Sequence, residues 1–146
     1  MRVGVSSTSL VIRNRLSELL RLSAWVQAWA QKNAVPEVMA QYVDLCATEL
    51  VTNVVNYAYA DDGEHLIEMC LCRFDDRTTL EIADDGKPFD PVETPERPRT
   101  TDLDTGRVGG WGIGIVRHFA DDMRYSRAGK RNCLTVVFRH EQGAPR

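Results

Sequence analysis

The chain has no surplus of positive charge: eighteen Lys and Arg face twenty-one Asp and Glu, a formal charge of -3. The basic residues are scattered, with no stripe interleaved with aromatics, so a direct nucleic-acid footprint is excluded and protein or small-molecule partners are expected. A long hydrophobic run is also missing. The apolar stretch from Val3 is cut by Ser6, Ser7, Thr8 and Ser9, and the next stretch carries Arg13, Arg15, Glu18 and Arg21. That pattern excludes a signal peptide or a membrane span. No C-x-x-C pair occurs. Cys46, Cys70, Cys72 and Cys133 fall inside apolar patterns and read as small buried hydrophobes of a reducing cytosol, without zinc or a disulfide. The expected location is cytoplasmic. His65, His118 and His140 are isolated from any second metal-type ligand, and none makes a catalytic centre.

With 43% apolar residues in 146, the chain can bury one core and has no spare length for a second. One domain over residues 1–140 with a frayed tail at 141–146 is expected, the tail marked by Gly143 and Pro145. Residues 2–6 read as a short strand. From Leu10 to Gln31, Leu16, Leu19, Leu20, Ser23, Val26 and Trp29 or Ala30 recur at helical spacing. Pro36 suits the first turn of a second helix running to about Tyr59, and Glu37 complements its dipole. His65–Phe74 and Thr78–Ala83 read as antiparallel strands about an Asp75-Asp76-Arg77 turn. Neither face of the first is cleanly polar, so a helix layer over one side is expected.

From Gly86 to Gly110 the chain holds Pro88, Pro91, Pro95 and Pro98 and few large apolar residues, as a lid over a ligand would. Gly112–Ala120 then reads as a short helix. Met123–Ser126 and Cys133–Arg139 read as two strands around Gly129-Lys130-Arg131. The order β-α-α-β-β-loop-α-β-β predicts an α+β fold of two layers, a mixed and mostly antiparallel sheet covered on one face by helices.

Three segments carry chemistry. On the second helix Glu49, Thr52, Asn53 and Asn56 share a face at i, i+3, i+4 and i+7, while Leu50, Val51, Val54 and Val55 lie elsewhere. Buried Glu and Asn need partners, and a metal ion, water or triphosphate would serve; a solvated face is the plain alternative. Asp84-Asp85-Gly86 ends a strand, where a carboxylate can accept a hydrogen bond from an exocyclic amine and Gly86 permits the turn, although Asp-Gly pairs also form ordinary acidic turns. Gly110, Gly112 and Gly114 open a helix, so free amides and the helix dipole can meet phosphate; a flexible hinge is the alternative. The spacing departs from the Rossmann, kinase glycine-loop and Walker patterns, because Ile115 follows where the third Gly is required and Arg131 follows Gly129-Lys130. Asn53 can offer Mg²⁺ its side-chain oxygen, with Glu49 one turn away as a general base.

These segments resemble the N, G1 and G2 boxes of the GHKL ATPase superfamily: E-x-x-x-N at Glu49 to Asn53, D-x-G at Asp84 to Gly86, and G-x-G-x-G at Gly110 to Gly114. The fuller strings ELVTNVVNYAY, DDGKPFDP, GGWGIGIVRHFADDMRY and GKRNCLTVVF are similar to the anti-sigma-factor serine kinase branch. The resemblance implies a Bergerat-type α/β sandwich that binds Mg-ATP. It implies phosphorylation of a serine on a STAS-type anti-sigma antagonist, and a homodimer that holds a sigma factor inactive. Asn53 would hold Mg²⁺, Asp84 with Gly86 would read adenine, and the amides from Gly110 to Gly114, Gly112 and Ile113 included, would cradle phosphates. Arg107 would contact the γ-phosphate. Tyr57 stands where this branch commonly has His, and Pro88 replaces the second glycine of the general G1 box, as is usual in the anti-sigma branch. A sensor histidine kinase needs an upstream phosphoacceptor His, and none precedes His65. The rival reading is an ATP-binding interaction module in which nucleotide sets partner choice with little or no phosphoryl transfer. A bare structural domain leaves the polar stripe, the lid and the glycines without a purpose.

Overall fold

A computed structural model describes residues 6–91 and 113–140. Strand β1 (Ser6–Arg13) leads through a 3₁₀ turn (Leu16–Glu18) into helix α1 (Leu19–Lys32) and helix α2 (Glu37–Tyr57). Strands β2 (Leu66–Arg73) and β3 (Arg77–Asp84) follow, then helix α3 (Ile113–Phe119) and strands β4 (Asp122–Ala128) and β5 (Arg131–Arg139). The five strands form one sheet in the order β1-β2-β3-β5-β4.

Every pairing among the described strands is antiparallel, so the parallel pair that a mixed sheet implies is absent among them. The connections explain it. Helices α1 and α2 carry the chain out and back, which returns it to the end of the sheet it left and makes β2 antiparallel to β1. Strands β3 and β4 run the same way, but β5 inserts between them and pairs with both in the opposite sense.

The helices cover one face. Ile12 of β1, Ile67, Met69 and Leu71 of β2, Leu80 and Ile82 of β3, and Leu134, Val136 and Phe138 of β5 alternate inward, as period-two strands require. Against them pack Leu22, Val26, Trp29 and Ala30 of α1 and Ala40, Val43, Cys46, Ala47, Leu50 and Val51 of α2. The other face carries Cys70, Cys72 and Cys133, which are half-buried, so only Cys46 is a core cysteine. All four thiols are free. Burial, with a smaller contribution from the charge of Glu49, pushes the Cys46 thiol up to about 12.

Two local expectations give way. Residues 10–13 belong to β1 rather than to the first helix, because Ser6–Arg13 pairs along its whole length with Leu66–Arg73; residues 2–5 lie outside the described ones. The apolar stripe of α1 is also rotated. Leu20 is 85% exposed and Leu16 46%, while Leu22 is fully buried. The helix phase is reset at Glu18, a buried carboxylate that accepts the Arg13 amide at 2.8 Å and breaks the register between Leu16 and the helix proper. Leu22→Ala is therefore expected to cost about 2–5 kcal/mol in urea unfolding, whereas Leu20→Ala should stay within about 0.5 kcal/mol of the parent. Equal losses would return Leu20 to the core.

Candidate functional site

The C-terminal half of α2, the end of β3, and strands β4 and β5 surround a cleft of about 560 Å³, counting its open mouth. Leu50, Val54, Ile82, Leu134 and Phe89 supply apolar walls, and Asn53, Asp84, Lys87, Tyr125 and Asn132 supply polar groups. A mostly apolar slot with a few fixed polar atoms is how ring-shaped ligands are held.

The expected stripe on α2 separates into different environments. Thr52 bonds its own helix, donating its hydroxyl to the Thr48 carbonyl at 2.7 Å. Asn56 is exposed, and Glu49 is half-buried outside the residues lining the cleft. Asn53 does line it: the residue is 7% exposed, and its Oδ1 is buried without a hydrogen-bond partner among the described residues. Such an orphaned acceptor is costly unless a ligand meets it. The cleft side of the helix is Leu50, Asn53, Val54 and Tyr57, a face rotated from the one that the polar spacing indicates.

Asp84, the last residue of β3, is 5% exposed. Its Oδ1 accepts the Gly86 amide at 2.8 Å and the Asn132 side-chain amide at 3.0 Å. Both bonds fall on Oδ1, and the residue lines the cleft. Gly86 is required by close approach. A Cβ there would stand 2.5 Å from the Ala58 Cβ and 2.7 Å from the Ala58 carbonyl oxygen, below any tolerable contact. The next residue, Lys87, donates its backbone amide to that same carbonyl at 2.9 Å. The turn is thus seated on the end of α2.

Asn132, Tyr125 and Phe89 were not among the residues singled out from sequence. A polar residue at an inward position of the otherwise apolar β5 was the available signal for Asn132. Ile113, at the start of α3, is buried, and neither it nor Gly114 lines the cleft. Gly110, Gly112, Arg107 and the expected lid beyond Pro91 lie outside the described residues, as does the tail 141–146. Arg117 of α3 donates to the Pro91 carbonyl at 2.8 Å, which holds the helix against the start of that segment.

No group of three or more His, Cys, Asp or Glu side chains suited to a metal occurs among the described residues. A single buried amide oxygen still fits Mg²⁺, which takes oxygen donors and commonly keeps only one or two from protein beside water and phosphate. No helix among the described residues is long and apolar enough to cross a membrane.

Residues 12–138 match the histidine kinase-like ATPase domain, and the chain belongs to that family. Over 113 residues it is 29% identical to the serine/threonine-protein kinase BtrW of Bordetella bronchiseptica, covering 77% of this chain and 80% of that one. It is also 29% identical over 104 residues to the serine-protein kinase RsbW of Staphylococcus epidermidis, covering 67% of this chain and 65% of the relative. Among solved structures, the histidine kinase domain of the blue-light activated histidine kinase from Erythrobacter litoralis EL346 overlays with a TM-score of 0.48 at 16% identity, covering 84% of this chain and 59% of that one.

A titratable cluster lies between the end of α2 and β2, outside the residues lining the cleft. His65 Nε2 lies 2.8 Å from Asp61 Oδ1, its Nδ1 lies 3.3 Å from Asp85 Oδ1, and its ring stacks on Tyr59 at 4.0 Å. The hydrogen bond to Asp61 raises the His65 pKa above the ordinary 6.5, helped by both carboxylate charges and opposed by desolvation. The same bond, with the Gly63 amide, lowers Asp61 below 3.8. A raised histidine stabilises the fold fully below pH 6.5 and ceases to as pH rises through its folded value; the lowered Asp61 contributes above 3.8 and fails below its folded value. Between those limits both contribute. Thermal melts of the parent and His65→Gln should therefore differ most near pH 5.5 and converge toward alkaline pH. A gap independent of pH would show that His65 acts by packing alone.

Proposed function

We propose that this chain is an ATP-dependent serine protein kinase that acts as an anti-sigma-type partner switch. In this reading it phosphorylates a serine on a STAS-type anti-sigma antagonist and, as a homodimer, sequesters a sigma factor. The observation that carries it is one cleft lined by both Asn53, whose Oδ1 is orphaned, and the Asp84 carboxylate. Membership of the histidine kinase-like ATPase family and relatives named as serine kinases support the same reading.

Adenine enters the apolar slot between Leu50, Val54, Ile82 and Leu134, and Asp84 accepts its exocyclic amine. Asn53 holds Mg²⁺, which when bound neutralises charge on the phosphate oxygens. The amides between Gly110 and Gly114 would cradle the phosphates and Arg107 would meet the γ-phosphate, as the sequence resemblance implies; Arg107 and residues 110–112 lie outside the described ones. Glu49 takes the proton of the acceptor serine as its oxygen bonds the γ-phosphorus and the bond to ADP breaks. Little else is asked of the protein beyond positioning, because phosphoryl transfer needs one base and fixed charges.

A second reading, a nucleotide-dependent interaction module without appreciable transfer, is favoured by one observation: Glu49 does not line the cleft. Transfer then requires the acceptor protein to bring its serine to Glu49.

Three variants divide the possibilities. Asp84→Asn should weaken ATP binding by roughly 1.5–3 kcal/mol in calorimetric titration of folded protein. Asn53→Ala should lose the Mg²⁺-dependent part of binding. Glu49→Ala should keep binding but slow transfer to a cognate antagonist about a hundredfold or more. Unchanged transfer in Glu49→Ala would assign the base elsewhere; no transfer by the parent to any cognate antagonist would leave the interaction module.

A further inference from the structure

Asp84, Asn132 and Arg127 stand in one row across three strands, Asp84 opposite Asn132 on β3 and β5, and Asn132 opposite Arg127 on β5 and β4. Inward-facing partners in such a row meet side by side. The Asn132 amide group is saturated from both ends. Its Oδ1 accepts the Tyr125 hydroxyl at 2.5 Å and an Arg127 guanidinium N–H at 2.8 Å. Its Nδ2 donates to Asp84 Oδ1 at 3.0 Å and to the Lys87 carbonyl at 2.9 Å, with the Gly86 carbonyl at 3.4 Å. Arg127 also donates to the Gly86 carbonyl at 3.0 Å.

An Asn side chain can turn over and exchange its oxygen for its nitrogen, and only its neighbours decide which way it faces. Here Arg127, which only donates, stands at one end and the Asp84 carboxylate and Lys87 carbonyl, which only accept, at the other, so the oxygen lies toward Arg127 and Tyr125. The nitrogen is thereby directed at Asp84. A turned amide would set its oxygen against the Asp84 carboxylate and the Lys87 carbonyl and place an N–H against the Arg127 guanidinium, which only donates. The orientation follows from the surroundings and has no competing state of similar energy.

We infer that Asn132, held by Tyr125 and Arg127, is the positioning residue that makes Asp84 a selective reader of a base bearing an exocyclic amine. Asn132 and the Gly86 amide both bond Oδ1 and so fix the carboxylate plane, and Oδ2 is the oxygen left to accept from the cleft's occupant. Without Asn132 the Gly86 amide alone holds Oδ1, and the carboxylate plane can turn about that single bond. The base then loses its directional partner while the apolar walls of the slot still hold its ring. Selectivity should fall more than affinity for the ring itself.

This inference rests on the base-reading role proposed for Asp84. The test compares Mg-ATP with the triphosphate of purine riboside, which has the same ring and phosphates but no exocyclic amine. The ratio of their dissociation constants is measured by calorimetry, with a thermal melt of each variant to establish folding. In the parent, ATP should be preferred by at least about tenfold, the worth of a hydrogen bond to a charged group. In Asn132→Ala the preference should fall to within about threefold of unity, chiefly through weaker ATP binding, because the ring contacts persist. Tyr125→Phe removes one hydroxyl and leaves Asp84 untouched, so it serves where Asn132→Ala does not fold and should lower the same ratio part of the way. A purely structural role for Asn132 would weaken both nucleotides equally. A parental preference retained by the folded variants overturns the inference and leaves the role of Asp84 standing. A parent that binds both nucleotides equally overturns the Asp84 role, and this inference with it.

Discussion

The site depends on the close seating of the Asp84 to Lys87 turn on the C-terminal end of α2. Gly86 lies against Ala58 with no room for a Cβ, and the Lys87 amide donates to the Ala58 carbonyl. That carbonyl is among the last of the helix, where no amide of a following turn is available to it. One hydrogen bond therefore satisfies the helix end and fixes the distance between Asn53 on the helix and Asp84 on the strand. A larger residue at position 86 would part the two walls of the cleft before it touched any ligand.

Around that contact the carboxylates are sorted by burial. Asp84 is enclosed, and its Oδ1 is met by neutral N–H donors from Gly86 and Asn132. Asp85 is exposed and turns to His65 together with Asp61. Tyr59 stacks on that histidine, and burial, then the charges of Asp84 and Asp85, push its phenol well above the ordinary range, so it remains a neutral wall. Adjacent acidic residues thus serve different ends: one lines the cleft and the other secures the loop between α2 and β2.

The sheet supplies rigidity where the polar groups need it. Asp84, Asn132 and Arg127 are registered by backbone ladders on both sides of β5, so their spacing does not depend on loop conformation. Helix α3 is placed against the same end by the Arg117 bond to Pro91. Ile82 and Leu134, paired across β3 and β5 one inward step from Asp84 and Asn132, set an apolar wall beside that row.

Element order, the helix-pair cover over a sheet and the candidate residues Asn53, Asp84 and Gly86 were legible in the sequence, because periodicity, turn residues and short-range spacing are local properties of the chain. Local patterns failed where a distant partner decided the outcome. Residues 10–13 alternate as well as they spiral, and only pairing with β2 makes them a strand. Leu20 and Leu22 are equally apolar, and only the Glu18 anchor sets which of them faces the core. The polar stripe of α2 was visible as a spacing, but which side of it meets a cleft depends on where β3 and β5 lie. Asn132 is the sharpest case. It is 48 residues from Asp84 along the chain, and its polarity acquires meaning when antiparallel pairing sets the two side chains 3.0 Å apart. Sequence determined the elements and the chemical inventory; the tertiary structure decided which groups meet, since sheet register is a non-local choice that buries one face of every strand at once.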